Sequence, residues 1–400
     1  MNLTTGYPYW LINSGLPANY PKLEQSVKTD ILIMGGGISG ALTAYYLVEA
    51  GLNCMVVDAR TIGLGSTCAS TALLQYELDT PLSELSNQIG FEAAARAYTL
   101  CSESIDTLET LSKDLHFTLF EKQKSLFFAA TQKDKKMLET EFSYRQKAGF
   151  DVAFLEEKDI KKEFGFSAPA AILSSQGGST DAYMLAHALL KASVKKGLAV
   201  FDRTVISKID YKTHGVQLTT EKGQQITANK IVNATGYEIT EFIDKKIVKL
   251  HSSYALASEH LQHPIPVWKD KVLLWNTADP YLYMRLTKDN RIIIGGRDEE
   301  FYNPTKRDKL IKKKSSQLVK DFSKMFPHIE LIPEFTWTGT FGSTKDSLPY
   351  IGTYDKTPHT YYALGFGGNG ITFSVIAAQI IRDMILGKKN KDVALFAFDR

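Results

Sequence analysis

The chain has 400 residues, enough to bury a large core and to form more than one domain or one elaborated domain. At 44% hydrophobic and 23% charged it has the composition of an ordinary globular protein, which excludes a disordered or fibrous chain. A formal net charge of +3 does not call for a nucleic-acid partner, and the lysines of Lys306–Lys314 and Lys388–Lys391 have no interleaved aromatic residues for stacking on bases, so both read as solvated surface.

Cys54, Cys68 and Cys101 form neither an even set nor a metal-type spacing, so neither a disulfide framework nor a metal site is expected. The start, MNLTTGYPYWLINSGLPANYPKL, lacks the basic segment and apolar core of a secretory signal, and no apolar run is long enough to cross a bilayer. A reducing, cytoplasmic setting is the expectation.

In chain order, the first informative stretch is Thr29–Arg60, TDILIMGGGISGALTAYYLVEAGLNCMVVDAR. An apolar β-branched run leads into a glycine turn, an Ala/Leu/Tyr helix, Gly51 as a stop, and a second apolar run ending in Asp58. Gly35, Gly37 and Gly40 fit G-x-G-x-x-G in the strand–turn–helix setting it requires. The first glycine permits the tight turn, the second a close approach to a pyrophosphate, and the third the packing of helix on strand. Free N–H groups and the helix dipole favour an anion there. Asp58 follows the glycines by about twenty residues, where a carboxylate accepts from a ribose diol.

Next, Arg60–Asp79 is rich in Gly, Ser, Thr and Ala, which suits close approach to a ligand. Two helical patterns with a strand-like SLFFAAT between them then read as an insertion. GGSTDAYMLAHALLKASVKKG carries cap candidates at its start and Gly197 at its end, the marks of a helix, with His187 on its core face. Alternating strands with THG and EKG turns lead to the buried run KIVNATG. A second set of strands comes next, one hairpin turning at KDN, and the chain closes with a strand, a glycine loop and a helix from about Ile371 to Gly387.

This order resembles the D-amino acid oxidase family of FAD-dependent oxidoreductases over nearly the whole chain. The motifs that carry the resemblance are the fingerprint, Gly65–Thr67, the NATG strand end, WTGTFGSTKDSLPYIG from Trp337 to Gly352, and ALGFGGNGITFS from Ala363 to Ser374. It implies an α/β fold, α+β overall: a Rossmann-like FAD-binding domain (residues 1–80, 171–245 and 340–400) with an inserted antiparallel-sheet substrate domain (81–170 and 246–339).

It also implies FAD as cofactor. The ADP half would lie on Gly35, Gly37, Ile38, Ser39, Gly40, Asp58, Ala59 and Arg60, with Val205, Ala234, Thr235 and Gly236 beside it. The flavin would reach toward Gly65, Ser66, Thr67, Ser70, Thr71 and Gly339. Gly367, Gly368, Asn369 and Gly370, leading into Ile371 and Thr372, would face the flavin N1–C2=O edge, where reduction leaves negative charge.

Departures from the family narrow the chemistry. Gly339 stands where flavin-linked sarcosine oxidases carry the attaching cysteine, so FAD is expected to be non-covalent. Phe341-Gly342 replaces the Arg-Pro pair whose arginine grips a substrate carboxylate. Gln75 and Thr372 replace the arginine and lysine of sarcosine oxidases. The remaining pocket candidates, Tyr254, Tyr283, Trp337 and Phe341, are aromatic and suit an amine. Arg285 and Arg297 are the arginines available to hold a carboxylate; Arg285, two residues after Tyr283, would share its sheet face, although a strand arginine ordinarily points to solvent.

The expected activity is oxidation of the C–N bond of an amine or N-substituted amino acid by hydride transfer to flavin N5, with no obligatory catalytic base. The partners are a small-molecule amine or amino acid and an electron acceptor that stays open among oxygen, a quinone and a carrier protein. Two other readings stand beside it: a D-amino acid or glycine-type enzyme using Arg285 or Arg297, and a non-catalytic FAD protein assisting assembly of a partner.

Overall fold

Val27–Met34 pairs in parallel with Cys54–Val57 on one side and with Gln225–Asn233 on the other, and helix Ile38–Glu49 makes the crossover between the first two strands. The sequence dictates this unit: Ile31, Leu32, Ile33 and Met34 are all buried, as a strand covered on both faces requires. The computed structural model describes residues 2–241, 243, 245–262, 265, 268–301, 303–364 and 366–400; position 365 of the Ala363–Ser374 motif lies outside them.

Around this unit the described residues build an eight-stranded sheet. Ala199–Phe201 adds in parallel beside Cys54–Val57, and Thr360–Leu364 adds in parallel beside the end of Gln225–Asn233. Ile206–Lys212 and Gly215–Thr220 form the expected meander on the start of that long strand. Helices Ile38–Glu49, Phe91–Asp114, Ala182–Val194 and Gly370–Ile385 pack together in one apolar core over the sheet. Asp181 caps the third of these, accepting from the Met184 N–H at 2.9 Å.

A second, nine-stranded sheet has the order Thr4–Gly6, Pro333–Ser343, Lys249–Ser258, Ile292–Glu300, Tyr283–Leu286, Leu273–Asn276, Ser125–Phe128, Ala170–Ser174, Val152–Glu156. It is antiparallel except where Leu273–Asn276 runs parallel to Ser125–Phe128, so the expected antiparallel sheet is in fact mixed. The chain's first strand joins it rather than the smaller sheet, as does Ala170–Ser174. Helix Ile311–Met325 covers one face through Leu318 and Phe322. The opposite face looks onto a cavity.

One irregularity in this sheet decides which side chains reach that cavity. Ser252 pairs with Glu299 but Tyr254 pairs with Gly296, so Ile292–Glu300 carries one extra residue, a β-bulge. Gly296 and Arg297 lie there at φ +137° and +58°, the left-handed side where a glycine eases the turn. The extra residue inverts the alternation of side chains. Before it Ile293 and Gly295 lie on the face turned away from the covering helix; after it Arg297 and Glu299 turn to the helix side and Asp298 turns in to the cavity.

Candidate active site

The fingerprint turn is tight because its glycines leave no alternative. A Cβ on Gly35, which has φ +105°, would stand 2.4 Å from the Ala234 carbonyl oxygen, and one on Gly40 would stand 1.8 Å from that of Gly35. No side chain caps helix Ile38–Glu49, and the Ile38 N–H is taken by Thr67 Oγ1 at 3.0 Å, which leaves the other first-turn donors facing the cavity. Asp58 accepts the Gly36 N–H at 2.6 Å and the Arg60 N–H at 2.7 Å, one on each oxygen. Burial raises its pKa, opposed by those two N–H groups and by the Arg60 charge. Each oxygen retains a lone pair for a further donor. The Arg60 guanidinium is itself held by both oxygens of Glu238.

From this turn a cavity of about 560 Å³ runs between the two sheets to the last glycine loop. Its walls include Gly35, Gly37, Ile38, Ser39, Asp58, Ala59, Arg60, Gly65, Ser66, Thr67, Ser70, Thr71, Val205, Ala234, Thr235 and Gly236. At its far end they include Gln75, Tyr283, Trp337, Gly339, Phe341, Gly367, Gly368, Asn369, Gly370, Ile371 and Thr372. Of the expected cofactor residues only Gly40 stands off the wall, closed in by Gly35.

The far end is held by cross-links between distant segments. Asn369 Nδ2 donates to the Gln75 and Glu77 carbonyls at 3.1 and 2.8 Å, and the half-buried Asp79 carboxylate accepts the Gly368 N–H and the Tyr281 hydroxyl, each at 3.0 Å. Burial raises the Asp79 pKa, with those two donors opposing. Trp337 Nε1 donates to the Ala69 carbonyl at 2.8 Å, the Tyr283 and Ser253 hydroxyls lie 3.0 Å apart, and Phe341 stacks on His251 at 5.3 Å. Thr372 donates back to the Asn369 carbonyl at 3.0 Å.

Three expectations are corrected. Tyr254 faces the helix side, with Lys314 of the covering helix 5.5 Å over its ring and its hydroxyl donating to the Arg307 carbonyl at 3.2 Å, because the cavity-facing residues of its strand are Ser253 and Ala255. Arg285 does share a sheet face with Tyr283, but it lies beyond the cavity, buried rather than exposed. It donates to the Thr71 and Thr180 carbonyls at 2.9 and 3.0 Å and sits 5.2 Å over the Trp10 ring. Arg297 pairs with Asp321 on the helix side, where the bulge sends it.

Sequence reasoning missed Asp298, Ser253, Tyr281 and Asp79. For Asp298 the only local cue is Gly295-Gly296 before it, the kind of pair that marks a bulge.

The sequence matches the family model described as FAD dependent oxidoreductase over residues 30–384. The chain belongs to this family and is an FAD-dependent oxidoreductase. Among its relatives is the gamma-glutamylputrescine oxidoreductase of Escherichia coli, 23% identical over 95% of this chain and 88% of that one. Another is the glycine oxidase of Geobacillus kaustophilus, 23% identical over 93% and 97%. Among solved structures, L-proline dehydrogenase from P. horikoshii aligns with a TM-score of 0.78 at 20% identity, covering 94% of this chain and 97% of that one. These structural likenesses establish the shared fold.

Among the described residues no group of three or more His, Cys, Asp or Glu side chains is arranged to hold a metal, the three cysteines are free and buried, and no helix is long and apolar enough to cross a membrane.

Proposed function

We propose that this enzyme oxidises the C–N bond of a primary or secondary amine that carries no α-carboxylate. A single observation carries the reading: among the described residues, the sheet end of the cavity presents a carboxylate, Asp298, and no free cation. Among the described lining residues the one basic side chain is Arg60, at the opposite end and paired with Glu238. A free carboxylate buried without a cationic partner costs several kcal/mol, so an α-amino acid is a poor occupant.

The glycine-shaped turn, the Asp58 carboxylate and the elongated cavity suit FAD, with the ADP half at Gly35–Gly40 and Asp58 and the flavin between Ser66–Thr71 and Gly367–Thr372. FAD held there supplies an acceptor for the two electrons of the substrate C–H bond. The chain's own part is to bind, orient and dry the amine. Tyr283, Trp337 and Phe341 give aromatic walls that exclude water. Desolvation favours the neutral form of an amine, the form with a lone pair to give. The first-turn N–H groups at Gly370–Thr372 offer a positive edge to negative charge arising beside them. In this reading the smaller sheet carries the cofactor and the larger one the substrate.

Amines and their α-carboxylated counterparts, offered as matched pairs with a dye acceptor and with the carbonyl product measured, test the reading. The amine of each pair is expected to turn over at least as fast. Amino acids turning over much faster across the pairs would overturn it.

A further inference from the structure

Asp298 is a carboxylate with an unfilled position. Its Oδ1 is shielded from solvent and has no hydrogen-bond partner among the described residues, while the side chain lines the cavity. The cations of the neighbouring positions are engaged elsewhere. Lys314, on the covering helix, pairs with Glu299 at 2.5 Å, and Arg297 pairs with Asp321.

The bulge makes this arrangement. In unbroken alternation Arg297 would face the cavity and Asp298 the helix; one extra residue exchanges cation for anion at the wall. Burial raises the Asp298 pKa to about 7. The Ser253 hydroxyl and the Lys314 charge oppose the rise, and the Asp79 and Asp279 charges reinforce it. Two phenols are close by: burial first, and then the surrounding charges, Asp298 among them, raise the pKa of both Tyr281 and Tyr283.

The Oδ1 of this carboxylate, shielded from solvent, without a donor and walled by aromatic rings, is completed by a cation. The nitrogen that is oxidised is the wrong candidate. It must present a lone pair, and an ionised carboxylate beside it stabilises its ammonium form instead. A nitrogen that keeps its proton throughout gains from the contact.

We propose that Asp298 seats a second, protonated nitrogen of the substrate, so that the substrate class is a diamine or an N-substituted diamine, oxidised at one nitrogen and held by the other. The proposal rests on the amine reading and names the substrate class of that same site.

The test uses the FAD-loaded protein in anaerobic stopped flow, which separates Kd from the limiting rate of flavin reduction. Straight-chain α,ω-diamines are compared with monoamines of equal length in wild type, Asp298→Asn and Asp298→Glu. The expected result is that wild type binds the diamine at least tenfold more tightly than the monoamine, that Asp298→Asn brings the ratio of the two Kd values close to one, and that Asp298→Glu restores part of that ratio.

The guanidinium ion, which cannot be oxidised, gives a readout without turnover. It should perturb the flavin spectrum of wild type and compete with the diamine, and do neither in Asp298→Asn. A diamine preference unchanged in Asp298→Asn overturns the proposal, as does an equal fall in monoamine and diamine reduction rates with a shifted pH profile, which would make Asp298 a proton acceptor. If no amine of either kind reduces wild-type flavin, the amine reading itself fails.

Discussion

Replacing Asp58 by alanine removes one carboxylate that serves two backbone donors and, in the proposed function, the adenosine ribose. In the folded protein its oxygens accept the Gly36 and Arg60 N–H groups at 2.6 and 2.7 Å. Losing a hydrogen bond to a charged acceptor costs about 1.5–3 kcal/mol, so loss of the ribose contact alone weakens FAD binding roughly tenfold to a hundredfold. The two N–H groups left without an acceptor loosen the turn that must meet the pyrophosphate, which pushes the effect toward the upper end. Asp58→Asn keeps one acceptor oxygen and should fall between wild type and Asp58→Ala. The assay is titration of apoprotein with FAD, followed by quenching of flavin fluorescence, with the thermal midpoint of each apoprotein measured alongside. An Asp58→Ala protein of unchanged FAD affinity would refute the assignment. An apoprotein much less stable than wild type, with FAD affinity falling only in proportion, would leave Asp58 a support of the turn and not a ligand.

Acid precipitation is expected to release all of the yellow colour, because Gly339 offers no nucleophile; flavin fluorescence left on the denatured chain would contradict this. Arg285→Ala removes two charge-assisted hydrogen bonds from a buried guanidinium and should destabilise the fold by roughly 3 kcal/mol, read as a lower denaturation midpoint, with amine KM little changed. Selective loss of amino-acid turnover at unchanged stability would restore Arg285 as a carboxylate clamp. The pH dependence of apoprotein stability carries a sign fixed by Asp298, whose pKa rises from 3.8 to about 7 on folding. Between those values the unfolded chain has released the proton that the folded one keeps, so this group makes stability fall as pH rises through the window. Asp298→Asn should show a flatter profile there, and an unaltered slope would place the carboxyl in water.

The parts of the site readable in the sequence are those whose constraint is local. Gly35 turns the chain at a positive φ, Gly40 is required by contact with Gly35 in the same turn, and Gly367–Gly370 enter a helix directly, so each can be located from a few neighbouring residues. Tyr254 shows the limit of that reasoning. A strand declares that alternate residues face opposite ways, but which set faces the cavity depends on pairing with Trp337–Gly339, more than eighty positions away. Arg297 and Asp298 are harder still, since one inserted residue exchanges their faces and its effect is visible only against the partner strand. Arg285 lies on the expected face, yet its role is set by Thr71 and Thr180, which only the tertiary fold brings to it.

Anaerobic mixing of the FAD-loaded enzyme with amines lacking a carboxylate is the most direct test of the account, because it reads the half-reaction without an electron acceptor. Bleaching of the oxidised flavin by such an amine, with restoration on admitting an acceptor, is the result predicted. A flavin that stays yellow with every amine, and bleaches only with α-amino acids or with nothing, would contradict it.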